Sequence, residues 1–193
     1  MIVICVPVPR SFSIDVRTAV YCATEAKRPG VQWGYSSSRE CSVGRSTLIY
    51  YALKNPDVTH IMTLDSDVVP PEGTLQKLLD HDLPIVAGIY PMITTEKVWS
   101  FKFGDGWENT QNPLPTDLTK VKAIGGSTVL VKREVLEKMG RPWWLTVYKP
   151  VDDEGRCYDL HEDEFFSKRA IEAGYDLMID PTVICRHYKY GEI

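Results

Sequence analysis

Short apolar, β-branched runs alternate with amphipathic stretches over the first ninety residues, and that alternation predicts strands followed by helices. Ile2 to Val8 is the first run, ended by Pro7-Val8-Pro9. Ser13 is placed to cap a helix over Ile14 to Ala26, with Asp15 in its first turn. Pro29-Gly30 breaks that helix, and Val31 to Tyr35 reads as a second strand. Ser42 or Gly44 opens a second helix through Leu48, Ile49, Ala52 and Leu53, closed by Asn55-Pro56. His60 to Leu64 is a third buried strand that runs directly into Asp65-Ser66-Asp67. Pro70-Pro71-Glu72 starts a helix, with Pro71 suited to its first turn, and Pro84 to Tyr90 is a fourth strand.

The second half is less regular. Trp99 to Phe103 predicts a strand, and the polar stretch Gly104 to Thr119 predicts a loop. Val121 to Ile124 and Thr128 to Val131 flank Gly125-Gly126, and a helix is expected over Arg133 to Met139. Lys149 to Tyr158 reads as another loop. Asp163 to Ala173 carries an apolar stripe of Phe165, Phe166, Ala170 and Ile171, ended by Gly174. Leu177 to Ile179 is a short strand before Pro181.

This order predicts an α/β fold in one domain spanning 1–193, with a mostly parallel, Rossmann-like central sheet in its first half. No internal repeat or linker divides it. In such sheets ligands bind outside the carboxyl ends of the strands, where Pro7-Val8-Pro9-Arg10 and Asp65-Ser66-Asp67 both fall.

Composition narrows the class. The chain has 193 residues, 44% of them apolar and 25% charged, which is ordinary for a folded domain with its own core. Its net charge of -4 gives no basic footprint for nucleic acid, which is not expected as a partner. No apolar stretch approaches a membrane span, and the first apolar run reads as a strand rather than a signal peptide. Cys5, Cys22, Cys41, Cys157 and Cys185 are scattered and odd in number, which suits reduced thiols in a cytoplasmic protein.

Three constellations carry chemistry. Two carboxylates flanking one residue of an extended segment point the same way, so Asp65 and Asp67 are candidates to share a hard divalent cation. A polar turn is the plainer reading of such a triplet; its place at a strand end favours the metal. His161-Glu162-Asp163-Glu164 opens a helix, where carboxylates are favoured electrostatically and one of them could also act as a general base. His187 is a candidate ligand for the same manganese-like ion. Trp143-Trp144 reads as closing one end of the core, the commoner fate of adjacent tryptophans.

Taken in order, these motifs resemble the GT-A glycosyltransferases, particularly the family-2-like enzymes of bacteria and phages. The matching pieces are Val6 to Arg10, Gly44-Arg45-Ser46, Leu64 to Asp67, Ile124 to Thr128 before Val131 to Leu136, Glu162 to Phe166 with Arg169-Ala170, Ala173 to Tyr175, Asp180-Pro181 and His187. The resemblance implies a nucleotide-sugar half over 1–95 and a mixed acceptor and catalytic half over 96–193. Pro7, Val8, Pro9 and Arg10 would line the nucleoside pocket, with Arg45 beside the base or diphosphate. Asp65 and Ser66 would serve the nucleoside or metal, and Asp67 with His187 would hold Mn²⁺ or Mg²⁺. Gly125 and Gly126 would approach the sugar, although a tight turn is an equally physical reason for the pair. Trp143, Trp144 and Glu162 would border the acceptor, and Asp163 would be the base.

The expected activity is transfer of a sugar from a nucleoside diphosphate sugar, with a UDP-sugar the first expectation, to a hydroxyl of a glycan, lipid or protein, with inversion. Tyr35 to Glu40 lacks the Asp that often holds uracil in that family, and no processive-synthase helix is present. A sugar-phosphate nucleotidyltransferase is the first alternative, disfavoured because Pro7 to Phe12 has no glycine to cradle a triphosphate. A non-catalytic nucleotide-sugar or glycan-binding module is the second.

Overall fold

A computed structural model describes residues 1–9, 13–92, 98–148 and 159–188. Its elements run β1 (Ile2–Pro9), α1 (Val16–Glu25), β2 (Val31–Ser38), α2 (Cys41–Leu53), β3 (His60–Thr63) and β4 (Val68–Val69). They continue with α3 (Thr74–Asp80), β5 (Ile85–Ile89), β6 (Phe101–Lys102), β7 (Thr119–Val121), β8 (Ala123–Ile124) and β9 (Val129–Lys132). The remainder is α4 (Arg133–Met139), β10 (Val147–Tyr148), β11 (Asp159–Leu160), α5 (Glu162–Glu172), β12 (Leu177–Ile184) and β13 (Arg186–His187).

Seven strands form one sheet in the order β2-β1-β3-β9-β5-β12-β7. β1 is parallel to β2 and β3, as the alternation of strand and helix requires. β12 also runs parallel to β5, but the parallel pairing is not continuous across the sheet. β9, from the second half of the chain, enters antiparallel between β3 and β5, and β7 closes the far edge antiparallel to β12. The sheet is therefore mixed, and both halves of the chain contribute to it.

Both sheet faces are buried, which explains why its strands read as continuous apolar runs. Cys5, Ile61, Ile85 and Val131 pack on one side with Ile49 of α2, Leu136 of α4 and Phe166 of α5. Ile4, Met62, Val86 and Leu130 pack on the other with Cys22 of α1 and Leu78 of α3. Neighbours in sequence thus supply opposite cores, and each fully buried Ile or Leu contributes about 1.5–3 kcal/mol. No helix among the described residues is long and apolar enough to cross a membrane.

Local readings hold in several places and shift in others. α4 spans the expected Arg133–Met139. The α1 cap is Asp15 rather than Ser13, with its carboxylate accepting the Arg17 N–H at 2.7 Å. α3 starts only at Thr74, because Gly73 takes φ +79° before it and leaves Pro71 outside the first turn. β12 runs on through Pro181, which lies where its register on β5 shifts, a position that tolerates proline in a strand.

The mixed topology gathers the site. β9 runs against β3 and β5, so the Gly125–Thr128 segment that precedes it meets the carboxyl ends of both. The register pairs Thr63 with Val129 and Ala87 with Val129. Beyond β12, the Cys185 N–H donates to the Ile89 carbonyl at 2.7 Å, and β13 pairs with β4, placing His187 opposite Val68. Residues 64–67, 90, 125–128 and 187 therefore converge at one end of the sheet.

Candidate functional site

Arg45 is the centre of the site. It lies mid-way along α2 and is 1% exposed. Its Nη2 donates to Asp65 Oδ1 at 2.6 Å, and its Nη1 faces Glu162 Oε1 at 3.3 Å and Asp163 Oδ1 at 3.4 Å. Burial works against the guanidinium charge, but the three carboxylates outweigh it and raise the Arg45 pKa above its ordinary value. One buried cation thus joins the second helix, the chain leaving β3 and the first turn of α5. The resemblance placed Arg45 beside a base or diphosphate; here its partners are the protein's own acids.

Each acid is held from a second side. The Asp65 N–H donates to Ser127 Oγ at 2.9 Å, and Thr63 Oγ1 donates to the Gly126 carbonyl at 2.7 Å. Thr146 Oγ1 donates to Glu162 Oε2 at 3.1 Å. Ser167 Oγ donates to the Asp163 carbonyl at 2.7 Å, fixing the helix start. Asp163 keeps 21% side-chain exposure beneath these neighbours. Burial is the main force that pushes its carboxyl up to about 7; Arg45 opposes this, while Asp65 and Glu162 add to it. A carboxylate poised near neutrality can take or give a proton at working pH.

Gly125 and Gly126 are required by this crowding. A Cβ on Gly126 would lie 2.6 Å from Arg45 Nη1 and closer still to Asp163 Oδ1. A Cβ on Gly125 would collide with the Tyr90 hydroxyl. Neither takes a positive φ, so the bend between β8 and β9 does not by itself demand glycine at these positions. The neighbours that approach their backbone are side chains of the chain itself.

Asp65 and Asp67 do not point the same way. β3 ends at Thr63 and Ser66-Asp67 lies in a turn, so the alternation of an extended segment is lost. Asp65 faces Arg45, whereas Asp67 Oδ2 stands 3.6 Å from His187 Nε2. The single shared-cation arrangement expected for Asp65 and Asp67 is thereby divided. His187 Nδ1 donates to the Pro91 carbonyl at 3.0 Å, which leaves Nε2 as the ring nitrogen turned toward Asp67. Burial disfavours the charged ring, but the Asp67 and Pro91 contacts outweigh it and raise the His187 pKa.

The Asp67 and His187 donors are compatible with one small divalent ion, whose ligands lie roughly 3 to 4 Å apart. No cluster of three or more His, Cys, Asp or Glu suited to a metal occurs among the described residues. A cation there would take two protein donors and fill its remaining positions with water or phosphate oxygens, as magnesium commonly does.

Other expected contacts lie elsewhere. Pro7 and Val8 are buried in β1, and Val8 belongs to the core with Ile4 and Val6 rather than to a pocket. Pro9 ends β1, and Arg10 lies outside the described residues, as does the whole of the loop 149–158. Ser66 is 7% exposed and its carbonyl accepts the Asp15 N–H at 2.8 Å, tying α1 to the acidic turn. Trp143 and Trp144 are both core residues, so neither offers an open face to a sugar. Trp143 Nε1 donates to the Leu136 carbonyl at 2.8 Å, and Trp144 stacks on Phe166 with ring centres 3.9 Å apart. Adjacent tryptophans are large enough to fill the gap between α4 and α5, and burial claims both.

Sequence reading overlooked Tyr90, Ser127 and Thr146. Tyr90 packs edge-on against His187, 5.4 Å between ring centres. Its position at the carboxyl end of a predicted strand was the available signal. Ser127 stands inside the glycine-rich run, where attention went to the glycines.

No protein-family model matches this chain, and no curated protein does. Among solved structures, the crystal structure of A197 from STIV superposes with a TM-score of 0.72. That likeness covers 98% of this chain and 86% of A197 at 20% identity, and it establishes a shared fold.

Proposed function

We propose that the chain is a divalent-metal-dependent glycosyltransferase that moves a sugar from a nucleoside diphosphate sugar, a UDP-sugar in the first instance, to an acceptor hydroxyl. The observation that carries this reading is the meeting of Asp163 with Arg45 and Asp65, one turn of chain away from Asp67 and His187. A proton acceptor and a two-donor cation site at the carboxyl end of a mixed sheet suit displacement at a phosphate-activated carbon.

In this reading Asp163 accepts the proton of the acceptor hydroxyl while that oxygen attacks the anomeric carbon. The bond from that carbon to the diphosphate oxygen breaks on the opposite face, so configuration inverts. Arg45 holds Asp163 and Asp65 in place, and Thr146 holds Glu162 for the acceptor side. Asp67 and His187 would hold Mn²⁺ or Mg²⁺, which when bound supplies positive charge to the departing diphosphate. Asp65 is committed to Arg45 and therefore serves orientation rather than the cation.

The test is incubation with a panel of nucleoside diphosphate sugars and Mn²⁺, following nucleoside diphosphate and free or transferred sugar by chromatography. The proposal predicts turnover that Asp163→Asn lowers by about 10²–10⁴-fold, with donor binding kept. Pyrophosphate release from a nucleoside triphosphate and a sugar phosphate, without glycosyl transfer, would replace it with the nucleotidyltransferase reading.

A further inference from the structure

A groove of about 450 Å³ runs along the outer flank of α2, outside the acidic site. Val43, Thr47 and Tyr50 recur at helical spacing on one face, with Ser46 and Tyr51 beside them, and all five line it. The facing wall is the segment after α4, through Arg141, Pro142 and Leu145, with the buried Trp144 behind it. Val43, Tyr50, Tyr51 and Leu145 stand 52%, 39%, 62% and 39% exposed. These exposed apolar side chains share one concave surface, which makes the groove a candidate binding surface.

The chemistry of the lining selects the ligand. The Ser46 hydroxyl donates to the Trp144 carbonyl at 3.2 Å, while the hydroxyls of Thr47 and two tyrosines interrupt the apolar surface, where a lipid tail or a hydrophobic helix would offer them no partner. A saccharide presents the matching alternation, with C–H faces for aromatic rings and hydroxyls for polar groups. The rings are held in fixed orientations: Tyr50 and Tyr51 meet edge-to-face at 5.4 Å, and the Arg141 guanidinium lies 5.2 Å from the Tyr50 ring centre. Volume also fits, since small-ligand sites span about 300–1,000 Å³. Trp144 is the common wall with the acidic site, with Arg45 lying 5.6 Å from its ring centre.

We propose that this groove is a saccharide subsite, binding sugar units of an acceptor chain away from the hydroxyl that reacts. Its role as an acceptor subsite rests on the glycosyl-transfer reading; its capacity to bind saccharide does not. Binding energy from remote sugar units would then hold the acceptor beside Asp163.

The experiment titrates isotope-labelled protein with chitotetraose, maltotetraose, cellotetraose and a hyaluronan tetrasaccharide, following the Tyr50 and Tyr51 ring resonances. UDP with Mn²⁺ is titrated separately into the same protein. At least one saccharide is expected to shift both rings saturably, and Tyr51→Ala to weaken it about five- to tenfold. Tyr35→Ala, an equally exposed tyrosine on β2, should leave it unchanged. Failure of all four saccharides to move these resonances overturns the subsite, as does binding that survives Tyr51→Ala unaltered. Saccharide binding without any UDP–Mn²⁺ binding keeps the groove and removes the transfer reading; the reverse result keeps transfer and removes the groove.

Discussion

Arg45 Nη2 donates to Asp65 Oδ1 at 2.6 Å, and this contact ties the middle of α2 to the chain leaving β3. The same guanidinium faces Glu162 and Asp163 on α5, so three segments distant in sequence share one buried cation. Removing it would leave three acids crowded together without a counter-charge. Arg45→Met should therefore destabilise the fold by about 2–4 kcal/mol, somewhat below the 3–5 kcal/mol of a fully buried pair because the acids are 20–25% exposed. Urea unfolding of the two proteins at pH 7 measures this, and an unchanged midpoint would contradict it.

Asp163 gives the stability a pH dependence of known sign. Its folded pKa of about 7 lies above the ordinary 3.8, chiefly through burial. Between those values the folded protein keeps a proton that the unfolded chain has released. Its contribution is therefore complete below about pH 4 and lost as pH rises through 7. Asp163→Asn should flatten the stability profile between pH 4 and 7. Chemical unfolding across that range reads it out, and an identical slope in both proteins would refute the assignment. For the proposed transfer the sign is opposite, because Asp163 would act as a base only when deprotonated, so turnover should climb through pH 7.

Gly126 tests how tightly the site is packed. A Cβ there would force Arg45 and Asp163 apart, so Gly126→Ala should cost about 1–3 kcal/mol. Gly106→Ala meets nothing within 4 Å and should be nearly neutral. Thermal melts of the two variants side by side decide the matter, and equal losses would mean that Gly126 is not a packing requirement.

Much of the first half was legible because its pattern is local. The β1, β3 and β5 runs are continuous apolar stretches punctuated by proline and glycine, and α4 is bounded by Lys132 and Gly140. Strand order was not legible, since nothing in Val129–Lys132 announces that it will insert antiparallel between β3 and β5. That insertion is what brings Gly126 and Ser127 to Asp65. The candidate residues were found by their chemistry and by the resemblance, but their partners depend on long-range packing: the resemblance sets Arg45 beside a base or diphosphate, and only the fold shows it buried among acids. Asp65 and Asp67 face different partners because the chain turns after Leu64, which is the polar turn that was the plainer reading of the triplet. Trp143 and Trp144 follow the commoner fate of large aromatic rings and fill the core.

His187 and Asp67 make the cation site testable without any turnover. His187→Ala removes one of the two proposed protein donors and should weaken Mn²⁺ binding in the presence of UDP by at least about tenfold. Isothermal titration with Mn²⁺ provides the affinity, with far-UV circular dichroism confirming the fold. Equal Mn²⁺ affinity in both proteins would remove His187 from the site.

The central claim, that this end of the sheet receives a nucleoside diphosphate together with a divalent cation, is tested most directly by thermal stabilisation. The melting temperature is measured with UDP, GDP, ADP and CDP, each with and without Mn²⁺. A ligand at a hundred times its Kd adds about 2.7 kcal/mol, which for a chain of this size raises Tm by roughly 5–10 °C. The account predicts such a rise with one nucleoside diphosphate, UDP first among them, only when Mn²⁺ is present. No stabilisation by any of the four, with or without the metal, would contradict it.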